Sequence, residues 1–328
     1  MAKKSKRGSG PRPGSDRAER VAARKARQAA AMAPPPRPFD GLAAECDLVA
    51  LRSFVASATA LLDLVEPGPA DPVLTSVVPQ EEEQPAAPVE PGTRNSVTVA
   101  TILPGAIPAL VRESSGAPQG LVGLQTDPEP ADLAASVADA IRWSAHAQPG
   151  EEYAPGDGSA SLLDLLTPES QLDIVVHEDF SWWFTSSEEV PHEIAHMLER
   201  ANDTVMPTAR LSPASGNGAP WWVDAGDRAH LRWVRSEPED DLMTALARLH
   251  ADGRLTLGEG SRFVGSFRTH GLLVPVFDLD NERHHEEWYP GLDEFDRYLT
   301  DALGDTSDLT SEQRRSRDGI RGRQITIR

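Results

Sequence analysis

The chain has 328 residues, 39% of them hydrophobic, which is enough for one large domain or two ordinary ones around a real core. A single cysteine, Cys46, excludes an internal disulfide framework and a cysteine-only zinc site, and is expected to be a buried, inert thiol. The net charge of −19 is sharply partitioned: residues 1–38 carry +9, residues 314–328 carry +5 and the rest carries −33, with all four lysines in the first tail, so the acidic remainder has no P-loop, Schiff-base or general-base lysine.

No stretch reaches the roughly 18 apolar residues of a membrane-spanning helix, and the N-terminus lacks the apolar segment of about 7–15 residues that a signal peptide needs. A soluble, cytoplasmic protein without a transmembrane segment is expected, of undefined oligomeric state. Residues 1–37 form a disordered or helical basic tail: KKSKRGSGPRPGS has nothing to bury, and RAERVAARKARQAAAM has helical propensity but little apolar surface. Lys3, Lys4, Lys6 and Arg7 are candidate contacts to an anionic partner, whether RNA, the ribosome or a membrane surface. A solvated arm lying against the acidic body is the alternative.

Residues 38–64 carry Leu48, Val49, Leu51, Val55 and Leu62 and predict one or two short helices packing on the body. Residues 65–95 are rich in Pro and Glu, without a sustained period, and predict an acidic linker. Residues 96–310 form the body. Strands are expected at SVTVATI and LVGLQ, then a helix on which Leu133, Val137 and Ile141 recur every four residues. Strands at 172–177 and 182–185 and a helix at 191–202 repeat that order.

Ser236 with Glu239 predicts a capping box for a helix lined by Leu242, Leu246 and Leu249 and stopped by Gly253. The most strongly patterned stretch follows at 262–279, RFVGSFRTHGLLVPVFDL. His270-Gly271 suits a two-residue hairpin turn, because Gly accepts the positive φ that such a turn needs. The register then sets Thr269 opposite Leu272, Phe267 opposite Val274 and Gly265 opposite Val276, giving one apolar side of Phe267, Leu272, Val274 and Val276, expected to pack on the Ser236 helix. Pro275 falls opposite Ser266, so the second strand should be a sheet edge or lie uncovered at that point. A helix with Leu292, Phe295, Leu299 and Leu303 ends at Gly304. In residues 311–328, Thr310-x-x-Gln313 caps an Arg-rich helix before the terminal strand QITIR. The fold class is α+β: a mostly antiparallel sheet built from ββα-type units with packed helices, plus the disordered basic N-terminal tail.

Two groups of residues have the pattern of a site. His192-Glu193-Ile194-Ala195-His196 matches H-E-x-x-H, in which two imidazoles one turn apart bind zinc and the glutamate activates water. Pro191 places it in the first turn of its helix, and no third ligand stands at a recognised spacing. Trp182, Trp222 and Trp233 could form a contact surface or line a ligand groove, but adjacent strand residues point to opposite faces, so one of each Trp-Trp pair is expected in the core. The His284-His285-Glu286-Glu287 run is expected to be a solvated loop, and Asp224-Ala225-Gly226 a turn before the strand HLRWV. No G-x-S-x-G, G-x-G-x-x-G or Walker motif occurs.

PFDGLAAECDLVALRSFV from Pro38, VTVATILPGAIPALVRE from Val97, LERANDTVMPTARL from Leu198, DRAHLRWV from Asp227 and the long segment LARLHADGRLTLGEGSRFVGSFRTHGLLVPVFDL from Leu246 together resemble an uncharacterised actinobacterial family of unknown function. Its members often carry SecA-like or topoisomerase-like labels. The chain has neither the P-loop nor the C-x-C zinc-binding end that SecA resemblance would bring, and the resemblance assigns no catalytic residue. It also implies that His192 to His196 is not part of the family pattern.

The first reading is therefore a non-enzymatic interaction or binding protein without a cofactor, associated with nucleic acid, ribosome or translocation machinery. The second is a zinc-dependent hydrolase using His192, Glu193 and His196. The third is a small-ligand binder with tryptophan-lined strands.

Overall fold

The computed structural model describes residues 37–65, 94–184, 192–322 and 324–326. Its elements run α1 (Glu45–Ser53), β1 (Ala58–Asp63), β2 (Ser96–Ala100), β3 (Ala109–Ser114), β4 (Ala117–Gly123), α2 (Leu133–His146), α3 (Leu162–Leu165), β5 (Asp173–Val176), α4 (His192–Asn202), β6 (Thr208–Arg210), β7 (Ala219–Asp224), β8 (Ala229–Val234), α5 (Glu239–Ala251), β9 (Ser261–Thr269), β10 (Leu272–Leu279), α6 (Tyr289–Gly304), α7 (Ser311–Arg321) and β11 (Gln324–Thr326). They build a five-stranded sheet, β3-β4-β2-β1-β5, and a six-stranded sheet, β11-β9-β10-β8-β7-β6. Neighbours are antiparallel except β2 with β4 and β9 with β11. The α+β class and the mostly antiparallel pairing are as expected.

The six-stranded sheet is covered on both faces. One face carries Leu231, Trp233 and Phe277 and packs on Leu242 and Leu246 of α5, Phe295 of α6 and Ile320 of α7. The other carries Trp221, Val234, Phe267 and Val274 and shares a core with Val49 of α1, Val97 and Val99 of β2, and Ile141 of α2. Double burial corrects the expectation for the Trp221-Trp222 pair: both rings are buried, one in each core, at 1% and 6% exposure. Alternation along a strand separates core from surface only where one face meets water.

The β9–β10 hairpin has the expected register, Thr269 with Leu272, Phe267 with Val274, Pro275 with Ser266 and Gly265 with Val276. His270 and Gly271 both take positive φ, 46° and 77°, as the turn demands. Its surroundings differ in part from the expectation. The Phe267–Leu272–Val274 side faces the α1 core, and it is the opposite side, with Leu273 and Phe277, that packs on α5. Strand β10 is internal, paired with β8 from Val276 to Leu279; that ladder breaks at Pro275 and returns as a single bridge between Leu273 and Arg235. The strand is therefore not an edge, and the other half of the expectation holds: β10 is left unpaired with β8 at Pro275, where the N–H is missing.

A β-bulge separates Gly265, opposite Val276, from Phe263, opposite Phe277. The extra residue turns the strand over, so Phe263 packs among the α5 residues while Phe267 faces α1. Gly265 takes φ 146° at the bulge, a backbone state that a side chain disfavours.

Other expectations change in detail. The second half of segment 38–64 is β1 rather than helix: Ala58, Ala60 and Leu62 alternate with more exposed residues, and pairing to β2 and β5 decides the conformation. The 182–185 strand is a 3-10 turn at Ser181–Trp183, and β3 was not anticipated. No Ser236–Glu239 capping box forms; Pro238 is the N-cap of α5, and the Glu239 carboxylate accepts hydrogen bonds from Arg268 instead. The Thr310–Gln313 box of α7 is present, with Gln313 N donating to Thr310 Oγ1 at 3.2 Å and Thr310 N to Gln313 Oε1 at 2.9 Å.

Candidate functional site

Along β8 the side chains divide by parity. Ala229, Leu231 and Trp233 are fully buried toward the helices, whereas His230 and Arg232 sit on the α1 side and remain part-exposed. Across the sheet Arg232 lies between Trp221 of β7 and Val276 of β10, and His230 is opposite Asp278. Helix α1 stops at Ser53, short of these residues, and leaves a cavity of about 330 Å³. Phe54 and Ser53 roof it, Val264, Phe267 and Val276 form apolar walls, and Arg232, His230, Asp278 and Thr269 supply the polar ones. The β9 bulge brings Val264 to this side of the sheet.

Its two polar ends differ. At one, Asp278 accepts hydrogen bonds from Arg228 and Arg262, each at 2.8 Å, and lies 3.1 Å from His230 Nδ1. Burial pushes this carboxyl upward, but Arg262, Arg228 and His230 outweigh it and hold Asp278 below its ordinary value. At the other end Arg232 is alone. Among the described residues no carboxylate and no hydrogen-bond acceptor meets its guanidinium, which lies against the Phe54 ring, 5.3 Å from the guanidinium carbon to the ring centroid. Burial alone lowers its pKa from the ordinary value, with no acid acting against it. Arg228 and Arg262 thus hold the one carboxylate that lines the cavity, and Arg232 adds a further positive charge at the other end, in a chain of net charge −19.

The cavity contains hydroxyls but no assembled nucleophile. Ser53 Oγ and Thr269 Oγ1 hydrogen-bond to each other at 3.0 Å, and His230 bonds to Asp278 rather than to either.

The residues singled out from the sequence lie elsewhere. Trp222 and Trp233 are core residues at 6% and 1% exposure, Trp222 beside His285 and Trp233 beside Phe295. Trp182 sits on the five-stranded sheet against Leu103 and Leu121, stacks on His177 and donates from Nε1 to Ser57 Oγ at 2.8 Å. The three rings do not share a concavity. His196 of α4 has a side chain 70% exposed, with Nδ1 3.6 Å from Glu199 Oε2. The side chains of His192 and Glu193 fall outside the described residues, as do Lys3, Lys4, Lys6 and Arg7. No group of three or more metal-ligating side chains comes together among the described residues. None of their helices is long and apolar enough to cross a membrane.

The Arg232 cavity was missed because its parts are far apart in sequence. The available signal was the polar alternation His230, Arg232 in a strand otherwise built for burial, set opposite Asp278 in the hairpin.

No curated protein and no solved structure matches the chain. The family described as Family of unknown function (DUF5926) matches residues 38–328, nearly all of the sequence outside the basic tail, and the chain belongs to that family.

Proposed function

We propose that this is a binding protein rather than an enzyme, and that it takes an anionic group into the cavity beside Arg232. The observation that carries this reading is the solitary guanidinium: a part-buried cation with five N–H donors and no acid partner among the described residues, set on a cavity wall rather than in the core. The cavity volume of about 330 Å³ fits the lower end of small-ligand pockets, roughly 300–1,000 Å³. The basic residues Lys3, Lys4, Lys6 and Arg7 are a separate contribution to this reading, a cluster of positive charge suited to meeting an anionic macromolecule such as RNA, the ribosome or a membrane surface.

Thermal unfolding of the full chain in acetate, phosphate or chloride at constant ionic strength tests the cavity. A ligand that binds only the folded state raises the midpoint. At least one oxyanion is expected to raise it above the chloride value in the wild type and not in Arg232→Met. Equal rises in both proteins would sink the assignment.

A further inference from the structure

We infer that the group accepted beside Arg232 is a carboxylate carried on an apolar body, an inference that rests on the anion-binding reading above. Arg232 offers one planar guanidinium fork, which matches the two coplanar oxygens of a carboxylate. Phosphate groups are commonly met by a helix N-terminus or by several converging donors. Here the helix end at the cavity is the C-terminus of α1, at Ser53 and Phe54, where the partial charge is negative. Asp278 lines the same cavity and adds a formal negative charge. Both features oppose a dianion more than a monoanion.

The remaining surface identifies the rest of the ligand. Phe54 and Phe267 meet edge to face, their centroids 6.1 Å apart, and Val264 and Val276 complete an apolar lining that a hydrocarbon chain or ring would cover. The Ser53–Thr269 hydroxyl pair shares one hydrogen bond and keeps a second O–H to offer a ligand oxygen. A small organic acid and the C-terminal residue of a peptide both present this chemistry, and the modest cavity favours the small acid.

Calorimetric titration of the full chain with phenylacetate, phenyl phosphate, phenylacetamide and a tetrapeptide ending in Phe separates these cases. Phenylacetate is expected to bind, with phenylacetamide and phenyl phosphate each weaker by about tenfold or more. Arg232→Met should abolish phenylacetate binding, and Arg232→Lys, which keeps the charge without the fork, should weaken it by about tenfold. Circular dichroism establishes that each variant is folded. Arg232-dependent binding of the tetrapeptide, tighter than that of phenylacetate, would support the carboxylate and assign it to a peptide end. Tighter Arg232-dependent binding of phenyl phosphate would overturn the carboxylate inference and leave the anion-binding reading standing. Failure of every anion to bind in an Arg232-dependent way would overturn both.

Discussion

Arg232 and Phe54 face each other across the mouth of the cavity, with the guanidinium carbon 5.3 Å from the ring centroid, and this contact replaces the ion pair that a part-buried arginine ordinarily makes. The contrast with Arg235, three residues later on the same chain, is informative. Arg235 is 1% exposed, donates from Nε to Glu237 Oε2 at 3.0 Å, lies 3.8 Å from Asp296 and stacks on Trp233. One arginine is closed by the protein and the other is left open.

Arg235→Ala is accordingly expected to be costly. It would leave Asp296, at 3% side-chain exposure, without its cation, and loss of one partner of a buried pair costs about 3–5 kcal/mol. Urea unfolding measures this directly. A loss under about 1 kcal/mol would mean that the buried carboxylate is satisfied without Arg235.

Stability should fall on mild acidification. Burial lowers the pKa of His146, His177, His270 and His285, with added repulsion from Arg94 and Arg142 at His146, from Arg52 at His270 and from His284 at His285. A histidine depressed in the folded state takes up its proton more readily when unfolded, so its contribution is complete above the unfolded value of about 6.5 and declines as pH falls through the folded value. The urea midpoint is therefore expected to drop between about pH 7.5 and pH 5.5, and less steeply in His270→Gln. A midpoint that rises over that interval would contradict these environments.

Cys46 should be chemically silent in the folded chain. Its thiol is pushed up to about 12, first by burial and then by Glu45 and Asp47, so the reactive thiolate is scarce at neutral pH. Labelling by a thiol reagent at neutral pH is expected to be slow in buffer and complete in urea. Rapid labelling of the native protein would show that the α1 core opens readily.

The β9 bulge depends on Gly265, at φ 146°. Gly265→Ala should cost about 1–3 kcal/mol through backbone strain alone. Equilibrium unfolding gives the value, and a change below about 0.5 kcal/mol would show that the strand can straighten.

The hairpin, the α7 cap and the α+β class were legible because their determinants are local: two turn residues, a two-residue period, a cap three residues from its partner. The all-helical reading of segment 38–64 beyond α1, the capping box at Ser236 and the surface role given to Trp222 and Trp233 failed where tertiary partners decided. Strand β1 is held by β2 and β5, Glu239 is taken by Arg268, and Trp222 and Trp233 sit on the sheet face that the C-terminal helices cover. The cavity needed three separate devices: α1 ending at Ser53, polar residues on one face of β8, and a bulge in β9. None of them signals a cavity by itself.

The central claim, that Arg232 is held open for an anionic ligand, is tested most directly by the unfolding free energies of wild type and Arg232→Met, each with and without phenylacetate. Without ligand the variant should match or exceed the wild type, because methionine can fill the site without desolvating a charge. With saturating ligand only the wild type should gain, by about 2.7 kcal/mol at a hundred times Kd. A variant weaker by about 2 kcal/mol in plain buffer, with no gain for the wild type on adding phenylacetate, would mark Arg232 as a structural residue and contradict the claim.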